Sequence, residues 1–158
     1  LKSVRKTSIL IFLGSILILL PFKDNKAICS KRSDISRSGT YIKTICTVEQ
    51  MRTYANAEEF CASNGMKLFV MDNAETRTLL ESAIGPLYKG SQIDVFFING
   101  KSDADGKFFT SPPKTPLASD LSYDGENLCL RVSLDGPFSP WTTGVLDCTT
   151  NVNFICEY

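Results

Sequence analysis

Apolar residues recur at three- and four-residue intervals after Thr53. Tyr54, Ala57, Phe60 and Cys61 share one side of a helical wheel, while Glu58, Glu59 and Ser63 fall mostly outside it. This period predicts a helix beginning near Thr53. Asn64-Gly65 is a stop signal, because both residues tolerate the left-handed conformation found at helix ends. Lys67–Met71 reads as a short buried strand. Asp72 then opens a second helix as its N-cap, with Glu75 reaching back as in a capping box. Leu79, Leu80, Ala83 and Ile84 form its buried stripe, and Gly85-Pro86 is expected to end it, since proline cannot continue a helix.

Elsewhere the apolar positions follow strand patterns. Residues 28–40 are polar and read as a lead-in segment or an N-terminal hairpin; Tyr41–Cys46 alternates weakly and can be a strand, and Asp94–Ile98 reads as a strong strand. Asn99-Gly100 and Asp105-Gly106 are turn signals, with Phe108–Thr110 as a return strand. Ser111–Pro116 holds three prolines and cannot lie inside a sheet. Residues 111–127 are therefore expected to form a long loop, the kind of segment where binding sites concentrate. Leu128–Ser133, Val145–Cys148 and Asn153–Tyr158 supply more strand, with a Pro/Gly-rich loop around Trp141 between the first two. Helices in one half and strands in the other predict an α+β fold: two helices flanking antiparallel sheets, with a long loop region.

The N-terminus has a different pattern. Lys2, Arg5 and Lys6 precede an apolar run from Ser8 to Phe22, followed by Lys23, Asp24, Lys26 and Ala27. This is a signal-peptide layout, and the run is shorter than the ~20 residues a spanning helix needs. The expected organisation is a signal peptide at 1–27, a lead-in or hairpin at 28–45, and one domain at 46–158, with no membrane span after cleavage.

Cleavage there changes the charge. It removes five of the 17 basic residues and one of the 17 acidic ones, leaving 12 basic, 16 acidic and a net charge of −4. Such a chain is a poor partner for nucleic acid or anionic membrane. Six cysteines in a small exported chain predict three disulfides made in an oxidising compartment, and hence a secreted, extracellular protein. Cys129 and Cys148 enclose an irregular segment whose ends a bridge would hold. Cys156 needs a distant partner, for which Cys61 on the first helix is the best candidate. Cys29 and Cys46 are near enough in sequence to close a small loop; the alternative is that Cys29 pairs with a second chain and makes a dimer. The pairing stays open at this level, since six cysteines allow many connectivities. The chain has no histidine. That excludes histidine general bases, Ser-His and Cys-His nucleophile pairs, and histidine metal ligands, so an enzyme is not expected.

Taken together, the pattern resembles a C-type lectin-like domain over almost the whole chain after residue 27. The family's aromatic-x-x-Ala-x-x-x-Cys helix resembles Tyr54, Ala57 and Cys61, and its Gly-Met-x-Leu continuation resembles Gly65–Leu68. The Trp-Ile-Gly strand appears altered as Phe97-Ile98-Asn99-Gly100, the next hairpin resembles Asp103, Gly106, Phe108 and Phe109, and the closing Phe-Ile-Cys-Glu is intact at Phe154–Glu157. The resemblance implies Cys61–Cys156, Cys129–Cys148 and, as in longer members, Cys29–Cys46. The layout is similar to small secreted lectins of arthropods, which implies a place in innate immunity or in reproductive fluids.

Sugar-binding members hold calcium through a Glu-Pro-Asn or Gln-Pro-Asp triplet in the long loop, an acid before the third family cysteine, and a Trp-Asn-Asp triplet before the fourth. Here the loop reads Pro116–Tyr123 without such a triplet, Trp141 is followed by Thr142 and Thr143, and two extra residues separate Trp141 from Cys148. Glu126 is near the pre-cysteine acid, shifted by one. Calcium needs about six to eight oxygens, so no cofactor is expected; calcium is possible but not at the family's usual site. Asp103-Ala-Asp105-Gly106 starts like a calcium loop but lacks the later ligands and reads as a hairpin turn. Asp120, Asp124, Glu126, Asp135 and Asp147 are acidic residues that can share a surface, though solvated loop charge is the commoner account. Trp141 can stack on a sugar, though a core plug is commoner; Phe96, Phe97, Phe108 and Phe109 read as packing. The candidate ligand-binding residues are Asp120, Tyr123, Glu126, Asn127, Trp141, Thr142 and Thr143. The expected partner is a glycan, bound without the usual calcium site; the alternative is an extracellular protein ligand on the same fold.

Overall fold

In the computed structural model, residues 12–13, 16–17, 28–37, 39–71, 73–110, 115–117, 123, 125–134 and 140–158 are described. Most of the expected signal peptide lies outside them, as do Asp72, Asp120, Asp124 and Asp135. Within that N-terminal region, β1 (Phe12–Leu13) and β2 (Ile16–Leu17) pair antiparallel. Among the described residues no helix is long and apolar enough to cross a membrane.

The first helix, α1 (Tyr54–Ser63), buries Tyr54, Ala57 and Cys61, as its period predicts. Asn64 caps its C-terminus, and Gly65 follows with φ +71°. The second helix, α2 (Ala74–Leu87), differs from expectation at both ends. Its N-cap is Asn73, whose Oδ1 accepts the Thr76 backbone N–H at 2.8 Å. Glu75 does not reach back; its carboxylate pairs with Arg37, Nε–Oε1 2.9 Å. Pro86 does not end the helix either. Tyr88 N–H still donates to Ile84 O at 3.1 Å. In the last turn proline removes one donor without breaking what precedes it.

The remaining strands are β3 (Lys31–Arg37), β4 (Thr40–Arg52), β5 (Lys67–Leu68), β6 (Val95–Ser102), β7 (Phe108–Phe109), β8 (Leu128–Leu134), β9 (Trp141–Asp147) and β10 (Val152–Glu157). They form one sheet in the order β3-β4-β10-β6-β8-β9, with β5 on β10 and β7 on β6. The sheet is mixed, not wholly antiparallel: β10 and β6 run parallel through Asn153↔Phe96 and Phe154↔Phe97. The polar N-terminal segment takes the hairpin form, β3 against a β4 that continues unbroken to Arg52 and pairs with β10 on its other side.

Two expected loops are strand. Asn99-Gly100 is not a turn but lies inside β6, where Asn99 is 1 % exposed. Gly100 is needed there for space: a Cβ would lie 2.4 Å from Leu130 Cδ1. Trp141 is not in a loop but begins β9. Asp105-Gly106 is a turn as expected, with Asp103 Oδ1 accepting both the Asp105 and Lys107 N–H groups at 3.0 Å.

The helices bury different faces of the sheet. Against α2 lie Ile35, Phe69, Phe96, Leu130 and Trp141. Against α1, which contributes Cys61, lie Phe97, Phe154 and the cysteines Cys46, Cys129, Cys148 and Cys156. The three disulfides are Cys29–Cys46, Cys61–Cys156 and Cys129–Cys148. Cys29 is thus bonded within its own chain, not to a second one.

Candidate functional site

The site region is built on the β8–β9 ladder. Seven pairs run from Leu128↔Asp147 to Leu134↔Trp141 with no register shift. Directly opposed residues share a face. Leu128, Leu130, Val132 and Leu134 all contact the α2-side core, so Trp141, Thr143 and Val145 face α2 as well. Thr142, opposite Ser133, points to the other face.

This continuous ladder decides what the two extra residues before Cys148 do. They are not looped out, so they carry Trp141 two positions farther from Cys148 along the strand. The family's Trp-Asn-Asp spacing falls instead on Thr143, Gly144 and Val145. None of these has a carboxylate or amide side chain.

The ladder also separates the candidate residues. Glu126 and Asn127 precede β8 at the Asp147 end, while Thr143 lies four steps and Trp141 six steps away, roughly 13 and 20 Å at the rise of a strand. Asp120 lies outside the described residues. Tyr123 folds back onto the β6–β7 hairpin and packs edge-on against Phe108, ring centres 5.9 Å apart.

At the Asp147 end, Glu126 is exposed and Asn127 has φ +55°. The Asp147 carboxylate is committed to its own turn. Its Oδ1 accepts the Thr149 hydroxyl and backbone N–H, each at 2.7 Å. These bonds, the hydroxyl first, hold the Asp147 pKa below the usual carboxylate value. Asn127 Nδ2 reaches the same oxygen at 3.5 Å. A cleft of about 270 Å³ opens here between Thr53, Glu58, Lys101, Asn127 and Thr149. Among the described residues no group of three or more Cys, Asp or Glu side chains is placed to hold a metal ion.

At the other end a cleft of about 620 Å³ lies between α2 and the start of β9. Trp141, 6 % exposed, forms part of its wall. The indole packs on Tyr88 and Phe96, ring centres 6.3 and 5.8 Å away; Trp141 is thus a core plug with one side on the cleft. Tyr88 itself is fixed by its hydroxyl, 2.6 Å from Thr47 Oγ1 and 3.1 Å from Glu49 Oε1. Burial is the main cause of its raised pKa, and the Glu49 carboxylate adds to it. Glu81 Oε1 accepts the Thr143 hydroxyl at 2.9 Å, which ties β9 to the helix.

The sequence pattern did not point to Thr78, Glu81, Ser82 and Gly85, which face this cleft. They recur at three- and four-residue spacing, and the one available signal was Gly85, a glycine within a helical period.

No protein-family model matches the sequence, and no curated protein matches it. Solved structures do. The chain is similar to SPL-1 in its complex with GlcNAc, with 18 % identity, 77 % of this chain and 93 % of that chain covered, and a TM-score of 0.57. It is similar to the C-type lectin domain of murine dendritic cell inhibitory receptor 2 in complex with N-glycan, with 14 % identity, 73 % and 90 % covered, and a TM-score of 0.59. It is also similar to SPL-2 from Saxidomus purpuratus, a Ca2+-independent C-type lectin, with 17 % identity, 77 % and 92 % covered, and a TM-score of 0.54. All three are lectins or sugar complexes by name. The chain has the C-type lectin-like fold that the sequence motifs imply.

Proposed function

We propose that this chain is a secreted recognition protein that binds a glycan without calcium. The observation that supports the reading is the unbroken β8–β9 ladder: at the family's spacing from Cys148, the Asn-Asp ligands correspond to Gly144 and Val145, and neither has a side-chain oxygen. Calcium there would lack two of the oxygens it needs. A fold neighbour named as a Ca2+-independent lectin supports recognition without the ion, and three disulfides support an oxidising, extracellular setting. The test is a glycan array probed with the folded, disulfide-bonded protein, once in calcium and once in chelator. The reading expects the same glycans bound in both. Binding that disappears in chelator would overturn it.

A protein ligand is the second reading, favoured by a separate surface. Tyr41, Ile42 and Tyr158 are 58 %, 37 % and 41 % exposed, and Arg32 lies over the Tyr158 ring at 4.8 Å. Tyrosine and arginine are the residue types that dominate protein interfaces. An empty array from folded protein, with a partner captured by wild type and lost in Tyr158→Ala, would favour this reading.

A further inference from the structure

We propose that the sugar site is the cleft between α2 and β9, and that it takes a neutral saccharide of one or two rings. This rests on the glycan reading above but moves the site away from the long loop.

The cleft's volume, about 620 Å³, is in the range of small-molecule sites. Its two walls differ in chemistry. Trp141, Leu134 and Pro140 form an apolar side, and Thr78, Glu81 and Ser82 form a polar side. A sugar ring has the same division, with C–H groups on its faces and hydroxyls at its edge. Glu81 is the best-placed polar group. It is partly buried and held by the Thr143 hydroxyl at 2.9 Å, and a carboxylate has further lone pairs to accept sugar hydroxyls. Among the described residues that line the cleft, Glu81 and the exposed Lys89 are the charged ones. Together they carry no net charge, which favours an uncharged ligand.

Gly85 bears on the same point. It stands in the last turn of α2, directly before Pro86, where the absence of a Cβ also relieves crowding by the proline ring. A Cβ at Gly85 would sit 3.9 Å from Trp141 Cδ1, an ordinary contact, so this position lies against the indole at the wall of the cleft. The spacing of Thr78, Glu81, Ser82 and Gly85 places all four along one side of the helix.

Trp141 is the chain's single tryptophan, so all indole emission comes from a residue on the wall of this cleft. The experiment titrates the disulfide-bonded protein with galactose, mannose, N-acetylglucosamine and their disaccharides while following Trp141 fluorescence, beside the array. One sugar is expected to shift the emission saturably. Gly85→Phe, which fills the cleft floor, is expected to weaken its binding at least tenfold. Ser82→Tyr, on the exposed face of α2, is expected to do the same without touching the core, which covers the case in which Gly85→Phe misfolds. Glycan binding on the array with unchanged emission and unaffected Ser82→Tyr affinity would overturn the site and leave the glycan reading standing. No glycan bound by folded wild-type protein would overturn both.

Discussion

The Tyr54 hydroxyl, at the start of α1, accepts the Gly100 backbone N–H in the middle of β6 at 2.9 Å. The β6–β8 register shifts between Phe97 and Lys101, and the tyrosine takes up a donor at that irregularity. The same hydroxyl donates to Asn99 Oδ1 at 3.4 Å. Tyr54→Phe leaves the Gly100 N–H buried without this acceptor. The expected loss is about 1–3 kcal/mol, the cost of an unsatisfied buried group. Urea denaturation checks it, and a loss below a few tenths would show that the bond contributes nothing.

Tyr54 and Tyr88 make the protein sensitive to alkali. Burial is the largest cause that raises both pKa values above the ordinary tyrosine value of about 10. The unfolded chain therefore loses these protons first. Stability from this source is fully present below about pH 10 and falls as pH rises beyond it. Base titration followed by circular dichroism should show a cooperative loss above that pH. Tyr88→Phe should make the slope shallower, and an unchanged slope would count against the assignment.

The Glu157 carboxylate, on the last strand, is 2 % exposed. It lies 3.0 Å from Lys43 Nζ and 3.1 Å from Lys67 Nζ, and it accepts the Val70 N–H at 3.2 Å. Removing one partner of a buried pair leaves the other uncompensated, at a cost of about 3–5 kcal/mol. Because the Lys67 side chain is 57 % exposed and can turn to water, Glu157→Gln is expected near the lower end of that range. A thermal melt within a degree or so of wild type would contradict this.

The disulfides should differ in worth. Cys61–Cys156 spans 95 residues and Cys129–Cys148 spans 19. If restraint of the unfolded chain dominates, losing the first costs about 4–5 kcal/mol and losing the second about 3. Paired Cys→Ala variants compared by denaturant midpoint decide the order. The reverse order would mean that native contacts, not loop closure, set the values.

Millimolar calcium should leave the melting temperature where chelator leaves it. A native site filled at about 100 times its Kd would add about 2.7 kcal/mol, which is several degrees for a domain of this size. A chelator-reversible rise of that kind would restore calcium to the site.

Local pattern by itself determined a good part of this protein. The three-and-four spacing of Tyr54, Ala57 and Cys61 placed α1, and Asp105-Gly106 marked a turn because its hydrogen bonds close within five residues. The absence of histidine and the cysteine count needed no structure at all. Tertiary structure decided the rest, where a residue's conformation depends on a distant partner. Asn99-Gly100 has the local chemistry of a turn, but Phe69 O, Tyr54 and Leu130 hold it in a buried strand. Trp141 follows a Pro/Gly-rich stretch, but pairing with Leu134 starts β9 there. That pairing fixed which residues stand at the calcium-ligand spacing and parted Trp141 from Asn127. The cleft was hidden for the same reason: Glu81 and Gly85 meet Thr143 and Trp141 across some sixty residues of chain, and only the packing of α2 on β9 brings them together.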